Sequence, residues 1–207
     1  KADDPWMFLA FCFEWSNAGV GKPSRLPVSL DGSNNGLQHL SAILRDKTGG
    51  ASTNLVPSDV PSDIYQDVAD AVLEVLESRK AHDAMARQWL EFGVSRKCTK
   101  RPVMVVPYGG RIYSTRQYIE DYIVDQIEAG VSNPWGHDLF EPSHYLADIV
   151  WECISRVIVS ARTVMDWLQE ISSRISAENL PVIWETPTKF LVHQLYPETR
   201  SRRITTY

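Results

Sequence analysis

A mixed α/β fold in which helix predominates is what this sequence predicts. Long stretches carry apolar residues at helical spacing, above all Ser62 to Phe92 and Pro142 to Glu178, while the β-rich segments are few and short. With 43% hydrophobic and 23% charged residues over 207 positions, the chain has the composition of an ordinary folded protein of one large domain or two small ones.

The elements follow in order. Pro5 to Trp15 (PWMFLAFCFEW) is apolar on nearly every side, the pattern of a helix enclosed within a larger protein, so it needs neighbours from outside these residues. After a polar loop with Gly19, Gly21 and Pro23, Leu26 to Leu30 reads as a buried strand that stops at Asp31 and enters the turn GSNNG. Leu37 to Asp46 is a short helix closed by Gly49-Gly50. Ser62, with Asp63 just after it, is the N-cap of an amphipathic segment reaching about Phe92, with a break near Arg79 to Asp83. Ser95 to Val106, Thr115 to Ala129 and Pro142 to Glu178 are further helices, the last carrying Ile149, Ile154, Ile158, Met165 and Leu168. Trp135 to Phe140 (WGHDLF) reads as a packing loop, with a loop that meets template or a neighbouring subdomain as the alternative. Val182 to Trp184 and Phe190 to Tyr196, joined by ETPTK, form a hairpin.

A net charge of -5 argues against a protein that holds nucleic acid by bulk positive charge, so any phosphate contact has to be local. Arg96, Lys97, Lys100 and Arg101 form one such cluster, and Arg200, Arg202 and Arg203 a weaker one. Cys12, Cys98 and Cys153 are odd in number and contain no CxxC pair, which argues against a disulfide framework or a zinc site and suits a reducing cytoplasm. Cys98 is expected to be a small apolar filler. The five histidines have no ligand spacing. No apolar run approaches the roughly 20 residues of a membrane span, and a start at Lys1 without a leader reads as an internal piece of a longer chain.

Two segments carry chemistry. Asp31 stands where the expected strand gives way to a Gly-rich turn, so its carboxylate projects from a support while Gly32 allows close approach to the backbone. That suits magnesium, which takes carboxylate and carbonyl oxygens. Taken alone, an Asp-Gly is more often a turn starter or a helix cap. In a helix over Ser95 to Val106, Arg96, Lys100 and Met104 fall at i, i+4 and i+8, and Tyr108 continues the row. Two cations, a thioether and a phenol on one face match a nucleoside triphosphate; a solvated basic face with Met104 in the core is the plain alternative. Pro102 and Pro107 threaten to bend or shorten that face.

Together, LPVSLDGSNNGLQHLSAILRD and VSRKCTKRPVMVVPYGG resemble the first carboxylate motif and the fingers-helix motif of the single-subunit RNA polymerases of phages and mitochondria. PWMFLAFCFEW and GGASTNLVPS add to the likeness, which fades after about Gly130. The resemblance implies a partial right-hand polymerase fold, with part of the palm over 1–50 and an incomplete fingers subdomain over 51–207. It implies that Asp31, with the Gly32 carbonyl, binds two magnesium ions. Arg96 and Lys100 would then hold the triphosphate, Lys100 also protonating pyrophosphate, with Met104 and Tyr108 beside the nucleotide. DNA template, RNA product and ribonucleoside triphosphates would be the partners, with no membrane and a monomeric parent. The family's second metal carboxylate, in a His-Asp turn, has no counterpart before Tyr207. Family A DNA polymerases share the Arg, Lys, Tyr-Gly spacing but carry a Glu where this chain has Gly36, five residues after Asp31, so Gly36 together with Tyr108 favours ribose. A non-catalytic helical module that binds nucleic acid remains the alternative from another class.

Overall fold

The computed structural model describes residues 2–27 and 30–195. Val28 and Ser29 of the expected strand, Tyr196 of the expected hairpin, and the basic run Arg200, Arg202 and Arg203 lie outside the described residues. The chain divides into two compact units, Lys1–Gly32 and Ser33–Tyr207.

In the first unit, α1 (Pro5–Ala18) starts where Asp4 accepts the Met7 N–H at 3.1 Å and Pro5 presets the first turn. It buries none of its residues: Trp6 is 80% and Trp15 71% exposed. The described residues of the expected strand form no strand. Leu26, Pro27 and Leu30 are irregular, and Leu30 is 95% exposed. An apolar run becomes a buried strand only when a neighbouring strand takes its hydrogen bonds, and the described residues offer none.

The second unit is built on α4 (Ile64–Arg79), whose Val68, Ala69, Val72 and Leu76 are fully buried at helical spacing. Asp63, rather than Ser62, caps it: one carboxylate oxygen accepts the N–H groups of Tyr65 and Gln66. The break anticipated near Arg79 to Asp83 is present, and Asp83 caps α5 (Ala84–Phe92) in the same manner. Around α4 pack α5, α6 (Arg96–Val105) and α8 (Phe140–Val157), with α7 (Ile112–Glu128) against α6 and α8. Trp135 packs at a tilt against Trp89 and Phe92, with ring centroids 4.6 and 4.9 Å away, so the start of the WGHDLF loop does pack. Cys98 is buried, which pushes its thiol up to about 12, as suits an apolar filler.

Two boundaries differ from expectation. The segment from Pro142 to Glu178 is two helices, α8 and α9 (Val159–Ala177), because Ile158 leaves helical geometry at φ -117°, ψ 68° while its side chain stays buried. Consecutive β-branched residues, Val157-Ile158-Val159, are the local reason. The helix after the Asp31 turn, α2 (Asn35–Leu44), ends at Arg45 in the left-handed region, and Gly49-Gly50 lie inside a further short helix, α3 (Lys47–Ser52). Helices α2 and α3 rest on α9. Strands β1 (Val182–Glu185) and β2 (Leu191–Gln194) pair antiparallel with Ile183 opposite His193, the hairpin the sequence predicted, over a turn closed by the Thr186 N–H donating to Phe190 at 2.9 Å.

Asp83 also ties α5 to α8, since its second carboxylate oxygen accepts the Tyr145 hydroxyl at 2.6 Å. That hydrogen bond holds the Asp83 carboxyl below the usual carboxylate range. A carboxyl that ionises more easily folded than unfolded contributes fully above about pH 4 and loses its contribution as pH falls through the folded value. Tyr145→Phe should therefore lower the urea midpoint at pH 7, with the gap to the unsubstituted chain closing as pH falls from about 5 to 3. A gap independent of pH would mean the hydroxyl acts through packing alone.

Candidate nucleotide-binding face and carboxylate turn

Helix α6 begins after Ser95 and keeps its geometry through Pro102, whose ring is buried, so the first proline does not break the face. Its four cations are sorted by periodicity. Lys97 and Arg101, one turn apart, pair with Asp125 at 2.9 Å and Asp121 at 3.0 Å on α7, which runs in the opposite direction. Such exposed pairs stabilise little, but they settle which charges are already answered. Lys100 is exposed and has no carboxylate partner among the described residues.

Arg96 is held differently. Its Nε donates to the second oxygen of Asp63 at 2.5 Å, and its guanidinium lies 5.0 Å from the centre of the Tyr65 ring. Burial alone would raise the Asp63 carboxyl, but the Arg96 hydrogen bond and charge, with the two capping N–H groups, hold it below the usual range. Thr99 locks the same junction, its hydroxyl donating to the Tyr65 carbonyl at 2.7 Å in the core. In the sequence Asp63 was read only as part of a helix cap, and Tyr65 was not singled out. No spacing rule ties them to Arg96, because the contact joins residues on different helices.

Past Val105 the chain tightens into a single 3-10 turn (Val106–Tyr108), then reverses through Gly109 at φ 82°. Gly110 donates to the Val105 carbonyl at 2.9 Å and sits so close that a Cβ would fall 2.4 Å from the Val105 side chain. Met104 is half-exposed and Tyr108 75% exposed, so the row Arg96, Lys100, Met104, Tyr108 forms one open face, with Met104 outside the core.

Gly36 comes to the end of that row. A Cβ at Gly36 would lie 2.7 Å from the Pro107 ring and 3.3 Å from the Tyr108 ring. The absent side chain is thus what lets α2 seat against this turn, a demand the sequence reading did not see. The cap of α2 is Asn34, in the left-handed region at φ 69°, its Oδ1 accepting the Leu37 N–H at 3.2 Å. Asp31 therefore does not cap that helix. Asp31 and Gly32 belong to the first unit, exposed and outside any strand, with the Gly32 N–H donating to Asp31 Oδ1 at 2.8 Å. A carboxylate and a neighbouring carbonyl are the hard oxygens that magnesium takes, so the donor chemistry fits. Among the described residues, no group of three or more His, Cys, Asp or Glu could hold a metal.

A family model described as DNA-dependent RNA polymerase matches residues 1–207. The chain belongs to that family. The DNA-directed RNA polymerase of Enterobacteria phage K11 is 34% identical over 99% of this chain and 27% of its own length. T7 RNA polymerase of Escherichia phage T7 is 32% identical over 99% of the chain and 28% of its own length. The mitochondrial DNA-directed RNA polymerase of Mus musculus is 39% identical over 95% of the chain and 16% of its own length. The chain thus spans little more than a quarter of the phage polymerases it matches.

Gly36→Ala gives a check on the α2 contact that is independent of activity. Placing a methyl group 2.7 Å from the Pro107 ring forces the turn or α2 to move, and overpacking of this kind costs about 1–3 kcal/mol. Urea denaturation should register the loss; a change below about 0.5 kcal/mol would mean the turn yields freely.

Proposed function

We propose that this chain supplies the first metal carboxylate and the nucleotide-gripping helix of a DNA-directed RNA polymerase, which adds ribonucleotides to RNA on a DNA template. The observation that carries the proposal is the division of charge on α6 in a member of this family. Lys97 and Arg101 are answered by α7, while Lys100, the open end of Arg96, Met104 and Tyr108 share the free face. Residues 1–50 would be part of the palm and 51–207 of the fingers.

In this reading Arg96 and Lys100 bind the triphosphate by charge-assisted contacts, and Lys100 gives a proton from Nζ to the departing pyrophosphate. Tyr108 lies beside the ribose, its hydroxyl distinguishing ribo- from deoxyribonucleotides, and Gly36 offers no carboxylate to exclude a 2′ hydroxyl. Asp31 and the Gly32 carbonyl would hold magnesium, which when bound activates the 3′ hydroxyl and stabilises the leaving group. The second carboxylate of such a site would come from outside this chain. Among the described residues no helix is long and apolar enough to cross a membrane.

The test is made in the complete polymerase that contains these residues. Asp31→Asn should nearly abolish nucleotide addition while DNA binding persists, because a neutral amide is a poor ligand for a hard cation. Lys100→Ala should cost at least about tenfold in triphosphate use, the worth of one charge-assisted hydrogen bond of about 1.5–3 kcal/mol. Lys97→Ala and Arg101→Ala should cost much less. Equal losses across all four cations, or primer extension by Asp31→Asn within about tenfold of the unsubstituted enzyme, would overturn the assignment.

The isolated chain should neither extend a primer nor remain dispersed, since α1 leaves a contiguous apolar surface that drives association. Templated extension by the monomeric chain would place a second metal carboxylate within these residues.

A further inference from the structure

The two oxygens of the Asp63 carboxylate have separate duties. Oδ1 takes the N–H groups of Tyr65 at 3.1 Å and Gln66 at 3.3 Å, closing the N-terminus of α4, while Oδ2 takes the Nε of Arg96, at 2.5 Å. A guanidinium has five donors in a fixed fork. With Nε occupied, the hydrogen bond to Asp63 uses one of these donors, and among the described residues no hydrogen bond is made by the two terminal nitrogens of Arg96. The Tyr65 ring, itself buried, fixes the guanidinium from one side at 5.0 Å.

We infer that Asp63 is a positioning residue, which holds Arg96 by Nε so that both terminal nitrogens are presented to the triphosphate before it arrives. The inference rests on the proposed role of Arg96 and adds to it the device that orients the side chain. An unheld arginine on an exposed helix face samples many rotamers, and freezing it at the moment of binding weakens the contact. Asp63 removes that loss beforehand, and its effect passes through Arg96. A mere competitor for the cation would act in the opposite direction, since deleting it would free charge for the ligand.

Asparagine and serine cap helices about as well as aspartate, so Asp63→Asn and Asp63→Ser keep the α4 cap while removing the carboxylate from Nε. In the complete polymerase, single-nucleotide addition should show KM for the ribonucleoside triphosphate raised about three- to tenfold with kcat within about twofold, the pattern of lost ground-state binding. Unfolding midpoints near that of the unsubstituted enzyme should accompany both variants. In an Arg96→Ala background, Asp63→Asn should change KM no further. If Arg96→Ala raises KM and Asp63→Asn does not, the positioning role is overturned while the role of Arg96 stands. A lower KM in Asp63→Asn would make Asp63 a competitor, and a rise that persists without Arg96 would give it a separate function; either result overturns the inference. If Arg96→Ala leaves KM unchanged, the reading of Arg96 fails, and the inference with it.

Discussion

The second unit depends on the burial of one helix, α4. Val68, Ala69, Val72 and Leu76 are sealed from solvent by α5, α6 and α8, so the position of each of these three is fixed relative to a single rod. Helix α6 meets that rod at its N-terminal end, where the Thr99 hydroxyl reaches the Tyr65 carbonyl and Arg96 reaches Asp63. Since the open face of α6 is defined by which of its sides is turned to α4 and α7, the candidate nucleotide face is a consequence of that packing.

Asp63 and Asp83 show the same economy twice. Each closes a helix with one oxygen and fastens a distant element with the other, Arg96 on α6 in one case and Tyr145 on α8 in the other. In both, the carboxyl is held below its usual range, and in both a conservative replacement can remove one duty while leaving the other. The secondary structure and the tertiary arrangement are therefore joined through single side chains at the start of α4 and α5.

Much of this was legible in the sequence, for local reasons. The break between α4 and α5, the hairpin, and the separation of Arg96 and Lys100 from Lys97 and Arg101 all follow from periodicity and punctuation within one stretch of chain. What was not legible depends on residues far apart. Leu26 to Leu30 carries a strand-like pattern, but pairing is decided by a partner, and Leu30 stands in solvent. The reach of the capping Asp63 to Arg96 and the closeness of Gly36 to Pro107 each join two segments that no spacing rule connects. The break at Ile158 lies between, since its β-branched run was visible but the buried anchor that fixes the bend was not.

The ladder of Lys97 and Arg101 with Asp125 and Asp121 has an effect on how a polyanion meets this chain. The protein carries a net charge of -5, so a phosphate-bearing molecule is repelled from most directions. By cancelling charge along one flank of α6, the ladder prevents the basic cluster from acting as a broad adhesive patch to which phosphates would cling in any orientation. What is left is a narrow strip of positive charge centred on Lys100, so that attraction for an anion is confined to the open face of α6.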